Sequence, residues 1–318
     1  MIPVNQDPEL TMEEFVLFRD FIHEKAGIFF ADNKMYLVKN RLARRISDLG
    51  IKSYKDYFYR VKYDVTMTEF NQLMNLITTN ETSFFRNPPQ LKSFSDESLP
   101  LITKDKLQGK GSRTLKIWSA GCSTGEEPYT LSIIVLEHLK SLIGWNVEII
   151  ASDISEQVLQ SARQGIYGDM TLRSTSRELV QRYFTPQGDR FHVKPEVKSL
   201  VRFGYLNLND SRKMSMFSGM DFIFCRNVMI YFSDEVKRQI VRGFYDALVP
   251  GGYLYIGHSE SLHGISKAFK LVYFKNGLVY HKEAKKNASG KDEPGTAAIN
   301  GSNKALDLLR QIKAGAIK

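Results

Sequence analysis

The chain has 318 residues, 42% hydrophobic and 25% charged, which suffices for two ordinary domains that each bury a core. Its opening residues lack a secretory pattern and no stretch reaches the apolar length of a bilayer span; two cysteines, Cys122 and Cys225, exclude a disulfide framework or a four-cysteine zinc site, so a cytoplasmic protein with no metal and no membrane insertion is expected. The net charge of +9 is concentrated late, with 11 Lys and Arg against 4 Asp and Glu over residues 266–318 and 11 against 11 over residues 1–70, which suits a solvated tail better than a nucleic-acid partner.

Residues 1–78 read as a helical domain. Thr11 followed by Glu14 is a capping-box pattern, Phe15, Phe18 and Ile22 recur at helical spacing, and Gly27 is placed to stop the helix. A second helix follows Asp32, with Met35, Val38, Leu42, Ile46 and Leu49 on one apolar stripe ending at Gly50. Two shorter amphipathic segments cover Ser53–Tyr63 and Thr66–Ile77. Residues 79–113 form a linker whose polar and aromatic content, with Arg86, is richer than a passive connector needs.

After residue 113 short apolar runs alternate with helical segments, the pattern of a doubly wound α/β sheet. Strands are predicted at Leu115–Ser119, Val147–Ala151, Val201–Tyr205, Asp221–Cys225 and Tyr253–Ile256. Helices fit Glu126–Leu142, Ser155–Gln164, Thr175–Tyr183 and Asp234–Leu248. Turn signals within residues 184–200 predict a small inserted antiparallel β-subdomain. Leu271–Phe274 and Leu278–His281 flank an Asn-Gly hairpin signal at Lys275-Asn276-Gly277. Residues 284–318 read as a basic, flexible tail, with one short helix over Ala305–Lys313.

Ligands of open α/β sheets bind beyond the carboxyl ends of the strands. There the chain reads Trp118-Ser119-Ala120-Gly121-Cys122-Ser123-Thr124-Gly125-Glu126-Glu127-Pro128-Tyr129. Gly121 and Gly125 permit close backbone approach, and two glutamates at the helix start favour a cation or a hydroxyl-rich group over a pyrophosphate. S-adenosylmethionine carries both kinds of group, although an ordinary tight turn has the same signature. Asp153, ending the second strand, stands where ribose hydroxyls are bonded, unless it or Ser155 only caps the next helix. Arg226 and Asn227 fall at the tip of the fourth strand. A partly buried Arg226 needs a partner, most naturally a carboxylate, and Tyr231 belongs either to the site or to the core.

Five blocks, Thr79–Arg86, Trp118–Tyr129, Ala151–Ile154, Phe224–Phe232 and Gly257–Ser261, resemble the CheR family of chemotaxis-receptor glutamate O-methyltransferases, with similarity running from about residue 12 to 282. The resemblance implies a helical N-terminal domain, a Rossmann-like methyltransferase domain with an inserted β-subdomain, and S-adenosylmethionine as cofactor. It implies cofactor contacts at Asn80, Thr82, Arg86, Gly121, Glu127, Asp153, Asn207, Leu208, Cys225 and Arg226. Arg86, Arg226 and Tyr231 are the catalytic candidates; Lys34, Arg41, Arg44 and Arg45 are candidates for holding Glu-rich helices in the cytoplasmic region of chemoreceptors. A glutamate is already ionised at neutral pH and attacks a methyl group without a general base, so His258 reads as structural. The turn Thr185–Arg190 lacks the Gly-containing extension of tether-dependent relatives, which implies independence from a receptor C-terminal pentapeptide. Three rivals are weaker. The loop lacks a dinucleotide fingerprint; the basic excess lies away from the motifs an RNA methyltransferase would use; and retained Arg86, Arg226 and Tyr231 argue against a non-catalytic regulator.

Overall fold

The computed structural model describes residues 8–109, 113–140 and 143–284. The predicted helix over 305–313 and the tail from 285 onward lie outside them. Four helices build the first unit: α1 (Met12–Ala26), α2 (Met35–Asp48), α3 (Tyr54–Lys62) and α4 (Thr68–Ile77). The capping box forms as read, with Glu14 N donating to Thr11 Oγ1 at 3.2 Å and Thr11 N donating to Glu14 at 2.9 Å. Gly27 closes α1 in the left-handed region at φ 74°. The apolar stripes of the four helices meet in one core around Phe15, Phe18, Leu42, Tyr57 and Leu73.

The linker expectation for residues 79–113 needs correction. After Phe84 and Phe85 the chain forms α5 (Pro88–Ser93), a π-helical turn (Phe94–Ser98) and α6 (Leu99–Gln108). Pro88 starts α5, where no amide partner is needed. Phe94 packs edge-on against Phe222 and Phe224 at 5.0 and 5.1 Å. Gln90 donates to Ile256 O at 2.6 Å. The segment therefore covers one face of the sheet. Its short apolar repeat, Leu91, Phe94 and Leu99, was too brief to stand out in the sequence.

The second unit contains β1 (Thr114–Ala120), α7 (Glu126–Leu139), β2 (Asn146–Asp153), α8 (Glu156–Gln164), β3 (Ile166–Gly168), α9 (Asp169–Leu172), α10 (Arg177–Tyr183), β4 (Phe184–Gln187), β5 (Arg190–Val193), α11 (Pro195–Lys198), β6 (Val201–Tyr205), α12 (Ser211–Met214), β7 (Met220–Cys225), α13 (Asp234–Ala247), β8 (Leu248–Ile256), β9 (Lys270–Phe274) and β10 (Gly277–His281). The main sheet runs β6-β2-β1-β7-β8-β10-β9. The first five of these strands are parallel; β10 is antiparallel to both neighbours. The order reverses at β1, so β1, β2 and β7 open a crevice at their carboxyl ends.

The inserted sheet is also larger than predicted. β4 and β5 form the expected hairpin, and β3 joins it in the order β3-β5-β4, so the unit starts at residue 166 rather than 184. Three residues between two helices carry no readable strand periodicity; pairing of Tyr167 with Phe191 decides the matter. No helix among the described residues is long and apolar enough to cross a membrane.

Candidate active site

A cavity of about 450 Å³ lies at the carboxyl ends of β1, β2 and β7, roofed by the α1–α2 loop and by residues 77–86. Its volume is typical of a small-molecule site. The Gly-rich loop forms the floor. Gly121 N and Cys122 N both donate to Ser152 O, at 2.8 and 2.9 Å, which folds the loop over the tip of β2. At Gly121, φ is 80° and an added Cβ would stand 2.5 Å from Val228 Cγ2, so only glycine serves. Gly125 starts α7 at φ 96°, against Ala162 and Tyr167.

The two glutamates of the loop separate. Glu126 turns away from the cavity, is buried, and accepts from Thr124 Oγ1 at 2.6 Å; burial pushes its carboxyl up. Glu127 lines the cavity, accepting from Ser119 Oγ at 2.7 Å and from Arg226 Nη1 at 3.2 Å. Of the two acids only Glu127, the one assigned to the cofactor, reaches the cavity, because a helix turns successive residues about 100° apart.

Asp153 ends β2, buried beside the cavity. It accepts from Ser123 N at 2.8 Å and Ser155 N at 3.0 Å. Burial raises its pKa, and these backbone donors pull it back. The helix cap itself is Ser155, whose Oγ accepts from Val158 N. Arg226 is 4% exposed at its side chain and is held by Glu127 and by Arg86 O, the latter at 2.5 Å. Its Nε is buried with no hydrogen-bond partner. Burial lowers its pKa and Glu127 opposes the fall.

The roof comes from the connector and the helical unit. Arg86 donates to Glu81 O at 2.8 Å, closing the loop that carries Asn80 and Thr82, both of which line the cavity. Ser123 Oγ donates to Asn80 O at 3.2 Å, and Phe84 is fixed between Tyr167 and Phe184. Asn207 and Leu208 also line the cavity, but the Asn207 amide points to α1, donating to Lys25 O at 2.7 Å. Tyr231 lines the cavity half-buried, and its carbonyl accepts from Phe29 N at 2.8 Å.

Three expected residues stay outside the cavity. Cys225 is fully buried in the core beneath the sheet tip. Its place in the lining is taken by Asn227, which the cofactor assignments missed. Asn227 holds φ 61° because Glu260 anchors it: the Glu260 carboxylate accepts from Gly257 N, Asn227 N and Ile230 N at 2.5, 2.9 and 3.1 Å. The quoted block Gly257–Ser261 was the available signal for that anchor. On α2, Arg44 is 91% exposed and pairs with Asp48, and Arg45 makes two bonds of 2.9 and 2.7 Å to Glu69. Only Lys34 and Arg41 reach the cavity, and Arg41 donates to Ile77 O and to Thr79 Oγ1. The basic face read from helical spacing is therefore divided between solvent, an internal ion pair and the cavity. His258 is exposed and lies outside the cavity lining.

Residues 80–278 match the family described as CheR methyltransferase, SAM binding domain, and residues 13–78 match CheR methyltransferase, all-alpha domain. The chain belongs to the CheR methyltransferase family. It is 37% identical over 277 residues to Chemotaxis protein methyltransferase 2 of Vibrio cholerae, spanning 87% of this chain and 95% of that protein. It is 38% identical over 272 residues to Chemotaxis protein methyltransferase 1 of Pseudomonas aeruginosa, spanning 84% and 97%. As a CheR methyltransferase it uses S-adenosylmethionine and serves methylation in chemotaxis. The lining fits that cofactor chemically, with carboxylates for cationic and hydroxyl groups and apolar Leu206 and Leu208 for a flat ring.

Proposed function

We propose that this enzyme methylates glutamate side chains in the cytoplasmic helical region of chemotaxis receptors, forming glutamyl methyl esters, without a receptor pentapeptide tether. One observation carries the reading: the cavity lining contains no histidine, and its two inner carboxylates, part-buried Glu127 and buried Asp153, already accept from protein donors, which leaves Glu81 at the exposed rim. Such a site offers an amine or alcohol acceptor no histidine and no inner carboxylate free to take its proton. It suits an acceptor that arrives ionised, as a glutamate does at neutral pH.

When bound, S-adenosylmethionine supplies an electrophilic methyl group on a positively charged sulfur. In our reading Asp153 accepts from its ribose hydroxyls, Glu127 faces its ammonium group, and Asn207 and Leu208 border adenine. Asn80, Thr82 and Gly121 shape the surrounding wall. Arg226, fixed by Glu127, and Arg86 hold the incoming carboxylate in line, with Tyr231 beside it; the roof of residues 77–86 excludes water. Lys34 attracts the acidic receptor surface, and Arg41 sets the roof. Independence from a tether is supported by the β4–β5 hairpin, where Gln187 pairs with Arg190 across only Gly188 and Asp189.

The test is transfer of radiolabelled methyl from S-adenosylmethionine to membranes carrying a chemoreceptor. Base-labile label is expected on receptors with and without their C-terminal pentapeptide, and its rate is expected to fall by about a hundredfold in Arg86→Ala. Base-stable label, or none on any receptor despite cofactor binding, would overturn the glutamate reading.

A further inference from the structure

The cavity mouth carries two exposed apolar side chains on two adjoining segments. Phe29, from the α1–α2 loop, is 51% exposed, and Ile230, from the turn after β7, is 52% exposed; both line the cavity. Neither sits on slack backbone. Phe29 N donates to Tyr231 O at 2.8 Å, Ile28 pairs with Phe232, and Ile230 N donates to the Glu260 carboxylate at 3.1 Å. The two segments are thus joined to each other, which fixes the backbone positions from which both side chains project. Exposed Lys34 lines the same mouth, and no ion pair among the described residues engages it.

We infer that Phe29 and Ile230 form an apolar lip that seats the receptor helix by a hydrophobic side chain one turn from the target glutamate. Residues three or four apart on a helix lie side by side, so a glutamate entering the cavity brings that neighbour onto the lip. The charge at the mouth selects the occupant: Lys34 and Arg86 outweigh exposed Glu81 and favour an acidic helix, and the lip requires that the helix be amphipathic rather than merely acidic. The lip therefore determines which glutamates of an acidic helix are taken. This inference rests on the receptor-glutamate reading above.

Initial rates with chemoreceptor membranes test it in the full-length enzyme. In Phe29→Ser and Ile230→Ser the KM for receptor is expected to rise about tenfold each, since each removes an apolar contact worth roughly one such factor. Affinity for S-adenosylhomocysteine, measured by calorimetry, is expected to stay within twofold of wild type, which also shows that the variants fold. On the receptor side, replacing the apolar residue one turn from a methylated glutamate by Asn is expected to slow that site alone. Unchanged KM in both enzyme variants, or loss of cofactor affinity instead, would overturn the lip. A wild-type enzyme that labels no receptor glutamate would instead overturn the earlier reading.

Discussion

At the scale of single residues the site depends on backbone held where few side chains tolerate it. Gly121 is the sharpest case, because both its φ of 80° and the 2.5 Å approach of Val228 exclude a methyl group. Gly121→Ala is expected to lower stability by about 2 kcal/mol, from left-handed strain plus the clash. It should also weaken S-adenosylhomocysteine binding, since the loop would shift away from Ser152. Adding Val228→Ala removes the clash but not the strain, so urea midpoints should recover only in part; full recovery would show that φ contributes nothing. Sequence reading found this glycine from the small-residue loop alone. The Gly257–Ser261 block marked the segment of the Glu260 anchor but not its role, because the three amide donors come from two loops separated in sequence by some thirty residues.

At the scale of elements, α2 is set by chemistry rather than by its apolar stripe alone. Arg45 bonds Glu69 on α4, and Tyr57 on α3 donates to the same carboxylate at 3.0 Å. Arg45 holds the Glu69 carboxyl below its ordinary value of 4.5, while burial opposes that effect. A depressed folded pKa means stability that is complete above the ordinary value and is lost as pH falls through the folded one. Glu69→Gln is accordingly expected to cost about 2 kcal/mol at pH 7 in urea unfolding, a discounted figure because Arg45 is partly exposed. The gap between wild type and variant should narrow below the ordinary carboxylate range; a gap that widens in acid would refute the ion pair's role. Arg45 was legible as basic and on the right face. Its partner, 24 residues away on another helix, was not.

At the scale of the molecule, the helical unit is bonded to the sheet around the cavity rather than hung from it by the connector. Asn207 and Asn209 donate to Lys25 O and Glu24 O at the end of α1, His23 meets Ser233 at 3.0 Å, and Ser155 donates to Asn75 on α4 at 2.7 Å. Asn207 thus joins the cavity lining to the segment that carries Phe29. In Asn207→Ala, amide exchange over residues 25–30 is expected to quicken roughly fivefold, as one lost hydrogen bond of ~1 kcal/mol implies. S-adenosylhomocysteine should then bind more weakly as well; unchanged exchange would mean that the other bonds hold the seam without it.

Much of the architecture followed from local rules. The capping box at Thr11, the stop at Gly27, the parallel strands and the position of the Gly-rich loop each depend on residues close in the chain, where sterics and periodicity act directly. Where the outcome depended on distant partners, only the tertiary structure decided it. The hairpin read at Lys275-Asn276-Gly277 forms there, but which two of the three residues make the turn was decided from across the fold: Glu97 accepts from the amides of Lys275 and Asn276, and Gly277 opens β10. Of two adjacent glutamates only Glu127 faces the cavity, and of four basic residues near α2 only Lys34 and Arg41 reach it. Composition identifies such groups as charged; whether a charge meets solvent, a ligand or another side chain is set by which surfaces fold against each other, and that information is spread over the whole chain.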